Sequence, residues 1–173
     1  MSGTNVKTIR YATADSSLGR LFLAMTDKGL CAVSFDGDAQ VRCAELRARF
    51  PGAELRPDPA GLEATVRGLR HAVDAPGQEV ALPTDTGGTV FQQRVWRALQ
   101  AIPPGRTESY AGLARRIGRP GAARAVAGAC AANPLAVLVP CHRVLRSDGA
   151  LGGYRWGLER KRTLLAREAS AAG

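Results

Sequence analysis

The run Pro140-Cys141-His142-Arg143-Val144 sets a thiol, an imidazole and a guanidinium on consecutive residues. A free cysteine with a pKa near about 8.5 is only slightly ionised at neutral pH, so a nucleophilic one needs a base or positive surroundings. His142 and Arg143 offer both, although chain neighbours need not face each other and an isolated Cys-His pair is more often packing than chemistry. Cys31, Cys43 and Cys130 show no CxxC spacing, and the only other histidine is His71, so no structural metal is expected. All four cysteines read as free thiols in a reducing compartment. His71 lies off the apolar stripe of its helix and reads as an exposed polar residue.

The elements around Cys141 must position it. Asn133-Pro134 opens the continuous apolar run Leu135-Ala136-Val137-Leu138-Val139, which suits a buried strand delivering the thiol from a rigid element. Upstream, Ser109–Ile117 can form a short helix carrying Tyr110, Leu113, Ala114 and Ile117 on one side. The turn Gly118-Arg119-Pro120-Gly121 and a second helix from about Ala122 complete a helix-turn-helix pattern. At 100° per residue, Ala125, Val126, Ala129 and Cys130 form the buried face of that second helix and Arg124 points nearly the opposite way. Around Arg124 the exposed face presents Gly121, Ala127, Gly128 and Ala131. A major-groove reader needs several long hydrogen-bonding side chains, so this face is poorly equipped to read sequence. It can approach a narrow groove closely and push one arginine into a base stack; the plainer alternative is a helix-favouring alanine face with a solvated arginine.

The first half reads as a few strands and two helices. Leu21–Met25 and Leu30–Phe35, joined by Thr26-Asp27-Lys28-Gly29, give a hairpin signal. Ala39, Cys43, Leu46 and Phe50 fall at helical spacing after Asp38, a candidate N-cap. A second helix is entered through Asp58-Pro59, carries Leu62, Val66, Leu69 and Val73, and ends at Ala75-Pro76-Gly77. The turn-rich stretch Pro83–Gly88 marks a boundary, giving an N-terminal domain over 1–83, a linker at 84–88 and a C-terminal domain over 89–173. Thr89 and Gln92 make a capping box for the next helix, stopped at Pro103-Pro104-Gly105.

Composition bounds the class. With 173 residues, 45% hydrophobic and 23% charged, the chain has room for a real core, and no apolar run approaches the ~18 residues of a membrane span. Met1–Ala12 holds no apolar stretch of signal-peptide length, so a cytoplasmic location is expected. Lys plus Arg is 24 against 15 for Asp plus Glu, a formal charge of +9 concentrated after residue 90. A polyanion is the natural partner, a basic solvated surface the alternative.

Asn133-Pro134 through Pro140-Cys141-His142-Arg143-Val144 resembles the active-site motif of the O(6)-alkylguanine-DNA alkyltransferases, the methylated-DNA-protein-cysteine methyltransferases. The likeness extends through Phe91–Trp96, Ser109–Ala114, Ala123–Val126 and Gly153–Gly157, and more loosely through Ile9–Ala12 and the hairpin after Leu18-Gly19. It implies an α/β (α+β) protein, with an N-terminal ribonuclease-H-like sheet-and-helix domain and a C-terminal helical winged-helix/helix-turn-helix domain, similar to the repair half of the adaptive-response protein. It further implies that Cys141 accepts an alkyl group from O(6) of guanine, possible also from O(4)-alkylthymine, once and irreversibly. His142 would help generate the thiolate through an ordered water and Glu168 would orient it. Asn133 would be the hinge, Arg124 the residue replacing the extruded nucleotide and Tyr110 the proton donor to the leaving guanine. Tyr154 and the backbone of Gly149–Gly153, including Gly152 and Gly153, would wall the base pocket. Glu168 also reads as sitting in the last turn of a helix with Leu164 and Leu165, where the macrodipole disfavours a carboxylate by up to about 1 kcal/mol and a partner such as His142 would compensate.

The partner expected on this reading is double-stranded DNA containing alkylated bases, bound by a monomer with no membrane contact, no metal and no cofactor. A DNA-binding regulator is disfavoured by the bare helix face. A cysteine hydrolase is disfavoured because His142 directly follows the nucleophile. A lesion-binding relative without transfer is disfavoured because Cys141 is present.

Overall fold

The computed structural model describes residues 6–36, 38–75 and 81–172. Alternating and continuous apolar runs in the first half build one sheet. Strand β1 (Thr8–Ser16) pairs antiparallel with β2 (Gly19–Met25), which pairs antiparallel with β3 (Leu30–Ser34) across the predicted Thr26–Gly29 turn. Helix α1 (Ala39–Arg49) follows, its N-cap Asp38 accepting from the amides of Gln40 and Val41 as its side-chain chemistry favours. The next strand, β4 (Glu54–Pro57), lies parallel to β1 and completes the order β3-β2-β1-β4. Its four residues are mostly exposed and carry no alternation, which is why the sequence did not announce it.

The middle strand β2 is buried on both faces. Phe22 and Ala24 pack with Ile9, Cys31, Cys43 and Leu46 beneath α1. Leu21 and Leu23 point the other way, into a core shared with Leu69 and Val73 of α2 (Glu63–Asp74) and with the helices of the second half. The breaker Pro76-Gly77 lies outside the described residues.

The second half is helical. Helix α3 (Val90–Gln100) begins at the Thr89–Gln92 capping box, with both reciprocal bonds present. A two-residue strand β5 (Glu108–Ser109) leads into α4 (Tyr110–Arg116), followed by α5 (Ala123–Ala131). The Trp96 indole N–H donates to Ala129 O at 2.9 Å and ties α3 to α5. A single 3-10 turn over Cys141–Arg143 leads into β6 (Val144–Leu145), which pairs parallel with β5, and α6 (Leu158–Ala172) closes the described chain.

Three expectations need correction. Leu135–Val139 is not a strand: it makes one bridge, Leu135 to Val33, and then turns, with Val137 at φ 70. The Asn133 side chain takes the backbone bonds that a ladder would have taken, and an apolar run is buried equally well as a strand or as a loop under other elements. On α5, Ala125 is exposed rather than buried, while Val126, Ala129 and Cys130 face the core. Glu168 is not in the last turn, since α6 continues to Ala172, so the helix end does not account for its partners.

Two crossings join the halves at the outer edge of β3. Leu30 N donates to Pro83 O at 2.8 Å and Asp85 N to Leu30 O at 2.7 Å; farther along, Val33 N donates to Pro134 O and Ala136 N to Val33 O, each at 2.9 Å. They satisfy an edge that would otherwise offer unpaired backbone groups. Gly29 makes the first crossing possible: its φ is +151, and a Cβ there would lie 2.5 Å from Pro83 C. Gly29→Ala is expected to destabilise the fold by roughly 2–4 kcal/mol through strain and collision with backbone, read as a lowered urea midpoint.

Candidate active site

The site is built around a thiol that is nearly sealed. Cys141 is 4% exposed, and its backbone N–H donates to Val139 O at 2.8 Å. The Asn133 amide holds the approach to it: Nδ2 donates to Val139 O at 2.7 Å and lies 3.3 Å from Cys141 Sγ, while Oδ1 accepts from Leu135 N at 2.8 Å. Burial pushes the Cys141 thiol up, only partly opposed by the Asn133 hydrogen bond and the positive charge of Lys161. At rest this cysteine is a thiol, and forming the thiolate requires proton removal.

The next residue provides a base. His142 is buried, donates Nε2–H to the Glu168 carboxylate, and its Nδ1 has no partner among the described residues. Burial pulls the ring below its ordinary pKa against the pull of Glu168, which leaves it neutral with a lone pair on Nδ1. Burial alone would raise the Glu168 carboxyl; the hydrogen bonds from His142 and Arg143 overcome it and hold the group below its usual range. Arg143 Nε grips both oxygens, at 3.1 and 2.8 Å, and one of its terminal nitrogens donates to Ile102 O at 2.6 Å. The carboxylate therefore stays ionised and fixes the imidazole tautomer.

A cavity of about 300 Å³ opens on the thiol, lined by Tyr110, Ala127, Cys130, Ala131, Cys141, Gly153, Tyr154 and Arg155. Tyr110, the first residue of α4, is pushed up to about 12 by burial and keeps its proton at neutral pH. Gly152, at φ +70, is pressed against it: a Cβ would sit 3.0 Å from the Tyr110 ring. Tyr154 packs edge-on against His142 at 6.4 Å between centroids, and its hydroxyl is buried without a partner among the described residues.

Facing outward, α5 and the turn before it present a largely bare surface. Gly121, Arg124, Gly128 and Ala131 are exposed, and nothing lies within 4 Å of where a Cβ on Gly121 or Gly128 would be. Ala127 is half-buried and serves as cavity wall. Arg124 borders a shallow hollow with Tyr110, Ala123 and the Arg146–Asp148 turn, so the exposed arginine and the cavity mouth share Tyr110 as a neighbour.

Lys161 was missed by sequence reasoning. It is fully buried on α6, its Nζ donating to Val144 O at 2.7 Å and Gly153 O at 3.1 Å and lying 5.9 Å from the Tyr110 ring centre. It fixes the cavity wall and supplies the nearest ammonium to the thiol. A signal existed: Lys161, Leu164 and Glu168 fall at i, i+3 and i+7, so two charged residues share the apolar face of α6. Among the described residues no group of three or more His, Cys, Asp or Glu is placed to hold a metal.

Residues 90–170 match the family model described as 6-O-methylguanine DNA methyltransferase, DNA binding domain, and residues 9–71 match its ribonuclease-like domain. The chain is 48% identical to the Escherichia coli bifunctional transcriptional activator/DNA repair enzyme Ada over 93% of its own length and 46% of that protein's, so it spans about half of that relative. It is 41% identical to the methylated-DNA--protein-cysteine methyltransferase of Mycolicibacterium paratuberculosis over 92% of both chains. The crystal structure of Mycobacterium tuberculosis OGT in complex with DNA is similar with a TM-score of 0.80, at 40% identity over 94% of each chain.

Two measurements test the electrostatics. Lys161→Met is expected to move the midpoint of Cys141 alkylation by iodoacetamide to higher pH, because the thiolate loses the charge that favours it most. His142 titrates lower in the folded chain than its unfolded value near about 6.5, so the unfolded chain binds more protons below that pH. Its contribution to stability is therefore complete above about pH 6.5 and lost as pH falls through the folded value; a thermal melt series should slope downward there and flatten in His142→Asn.

Proposed function

The chain belongs to the 6-O-methylguanine DNA methyltransferase family, and from that premise we propose that it reverses alkylation damage in DNA by moving the alkyl group from O(6) of guanine to its own Cys141, once per molecule. The observation that carries this reading is the sealed thiol beside a neutral imidazole fixed by a buried carboxylate, at the floor of a cavity next to a bare helix.

The target carbon lies inside a duplex, so the nucleotide must be rotated out at a cost of a few kcal/mol, less for a mispaired damaged base. α5 supports this role: its alanines and glycines allow close approach to a groove, and Arg124 fills the space the nucleotide leaves. Asn133 is the hinge between α5 and the acceptor turn, and Tyr154 with Gly152 and Gly153 walls the base. His142, through a water, takes the Cys141 proton at Nδ1 while Glu168 steadies the imidazolium. The sulfur electron pair attacks the alkyl carbon, the carbon–oxygen bond breaks, and its electron pair returns to guanine, which Tyr110 protonates as it leaves. The product is a thioether. It offers water no carbonyl, and no second half-reaction restores the thiol.

O(4)-alkylthymine presents the same bond on a smaller ring and is proposed as a second substrate. The partner is duplex DNA with an alkylated base, bound by a monomer in the cytoplasm. No helix among the described residues is long and apolar enough to cross a membrane. We propose the boundary between the two parts at 84–88.

Mixing the protein with a duplex containing one O(6)-methylguanine should add one methylene mass to the Cys141 peptide, saturating at one per protein, in intact and peptide mass spectrometry. Tight binding without mass gain would make the protein a lesion sensor or regulator instead. Cys141→Ala should abolish transfer and keep binding. Arg124→Ala should slow repair of duplex substrate on the order of tenfold, and single-stranded substrate less.

A further inference from the structure

A second cavity, of about 350 Å³, takes no part in this chemistry. It lies between the sheet, α1 and the segments flanking Asn133, with an apolar floor of Ala32, Ala48 and Pro134 over the buried Phe22, Leu46 and Trp156. Three guanidiniums border it, from Arg42, Arg49 and Arg155, against one carboxylate, Glu45. Glu45 is half-exposed and is engaged by Arg42 at 3.1 Å. The balance of the lining is cationic, and the size is within the range of small-molecule sites.

Arg49 and Arg155 are exposed, yet each is tied to the backbone at the cavity edge. One terminal nitrogen of Arg49 donates to Cys31 O at 2.9 Å and its guanidinium lies 5.0 Å from the Phe50 ring centre. Arg155 donates to Asn133 O at 2.8 Å and stacks 5.4 Å over the Trp156 ring. Burial holds the Arg49 guanidinium below its ordinary pKa, with Arg155 adding repulsion. Two donors remain orphaned: Arg42 Nε and the Trp156 indole N–H are buried with no partner among the described residues, and Trp156 is 5% exposed. Buried donors without acceptors are rare enough to require an explanation.

We propose that the cavity is a binding site for a small organic anion, a carboxylate or phosphate head carried on a flat apolar body. The head is gripped by Arg42, Arg49 and Arg155, where charge-assisted bonds are strongest. The body lies on Ala32, Ala48 and Pro134. The site is separate from the cavity over Cys141 but shares Arg155 with it, since that side chain also borders the acceptor cavity and supports the Asn133 carbonyl.

Isothermal titration calorimetry of the full chain with phenyl phosphate, benzoate and inorganic phosphate tests this without reference to alkyl transfer. Phenyl phosphate or benzoate should bind saturably at one per protein, inorganic phosphate more weakly. Arg42→Met and Arg155→Met, each checked for native circular dichroism, should both weaken binding about tenfold or more. Arg124→Met, on α5 and outside this cavity, should not. Absence of saturable binding by all three probes, unchanged affinity in both cavity variants, or an equal loss in Arg124→Met would overturn the proposal. Equal affinity for inorganic and phenyl phosphate would overturn the role assigned to the apolar floor.

Discussion

One buried amide organises the region on which the chemistry depends. Asn133 is fully buried and every polar atom of its side chain is engaged: Oδ1 by Leu135 N, Nδ2 by Val139 O and the Cys141 sulfur. Its own carbonyl is taken by Arg155. A satisfied buried polar group rigidifies its surroundings, and losing one partner would strand the others at a cost of about 1–3 kcal/mol each. By closing backbone bonds across six residues, it turns the chain after α5 into a tight loop that meets β3 at one point and then sets down Cys141.

The charges below that loop are arranged so that none is buried alone. Glu168 is shared by His142 and Arg143, Arg143 also satisfies Ile102, and Lys161 is clothed in the carbonyls of Val144 and Gly153. Burial and pairing act in opposition on the sulfur, and burial wins. A thiol kept protonated until something fills its cavity is spared reaction with whatever electrophile diffuses past, which suits the irreversible transfer proposed for it.

Much of this was legible in the chain. Asp38, Thr89 and the Thr26–Gly29 turn act over three or four residues, so their chemistry is readable locally. So was the bareness of α5. The apolar run 135–139 was misread because hydrophobicity reports burial and not conformation, and the deciding partner, the Asn133 side chain, acts across the loop. Ala125 and Ala127 exchanged roles relative to the helical wheel: alanine is indifferent at the margin of a face, and the wall that buries Ala127 comes from Tyr110 and the acceptor loop. β4, β5 and β6 are too short to announce themselves. Lys161 was hidden by its type, since a lysine on a charged helix ordinarily lies in water and only the carbonyls of two distant segments draw it inward.

The bare face of α5 has a further consequence, for kinetics. Ala125, Gly128 and Ala131, with Gly121 in the turn before the helix, have no rotamers to freeze on docking, so contact costs little side-chain entropy and makes few directional bonds. Attraction to a polyanion then rests on the net charge of +9, which is long-ranged, weakened by salt and blind to sequence. Such a surface would, on the proposed function, stay near DNA without lingering at any one position. On the proposed function, time at a site would be governed by whether a base yields to Arg124 and enters the cavity, so the helix would serve a search in which undamaged sequence is passed over quickly.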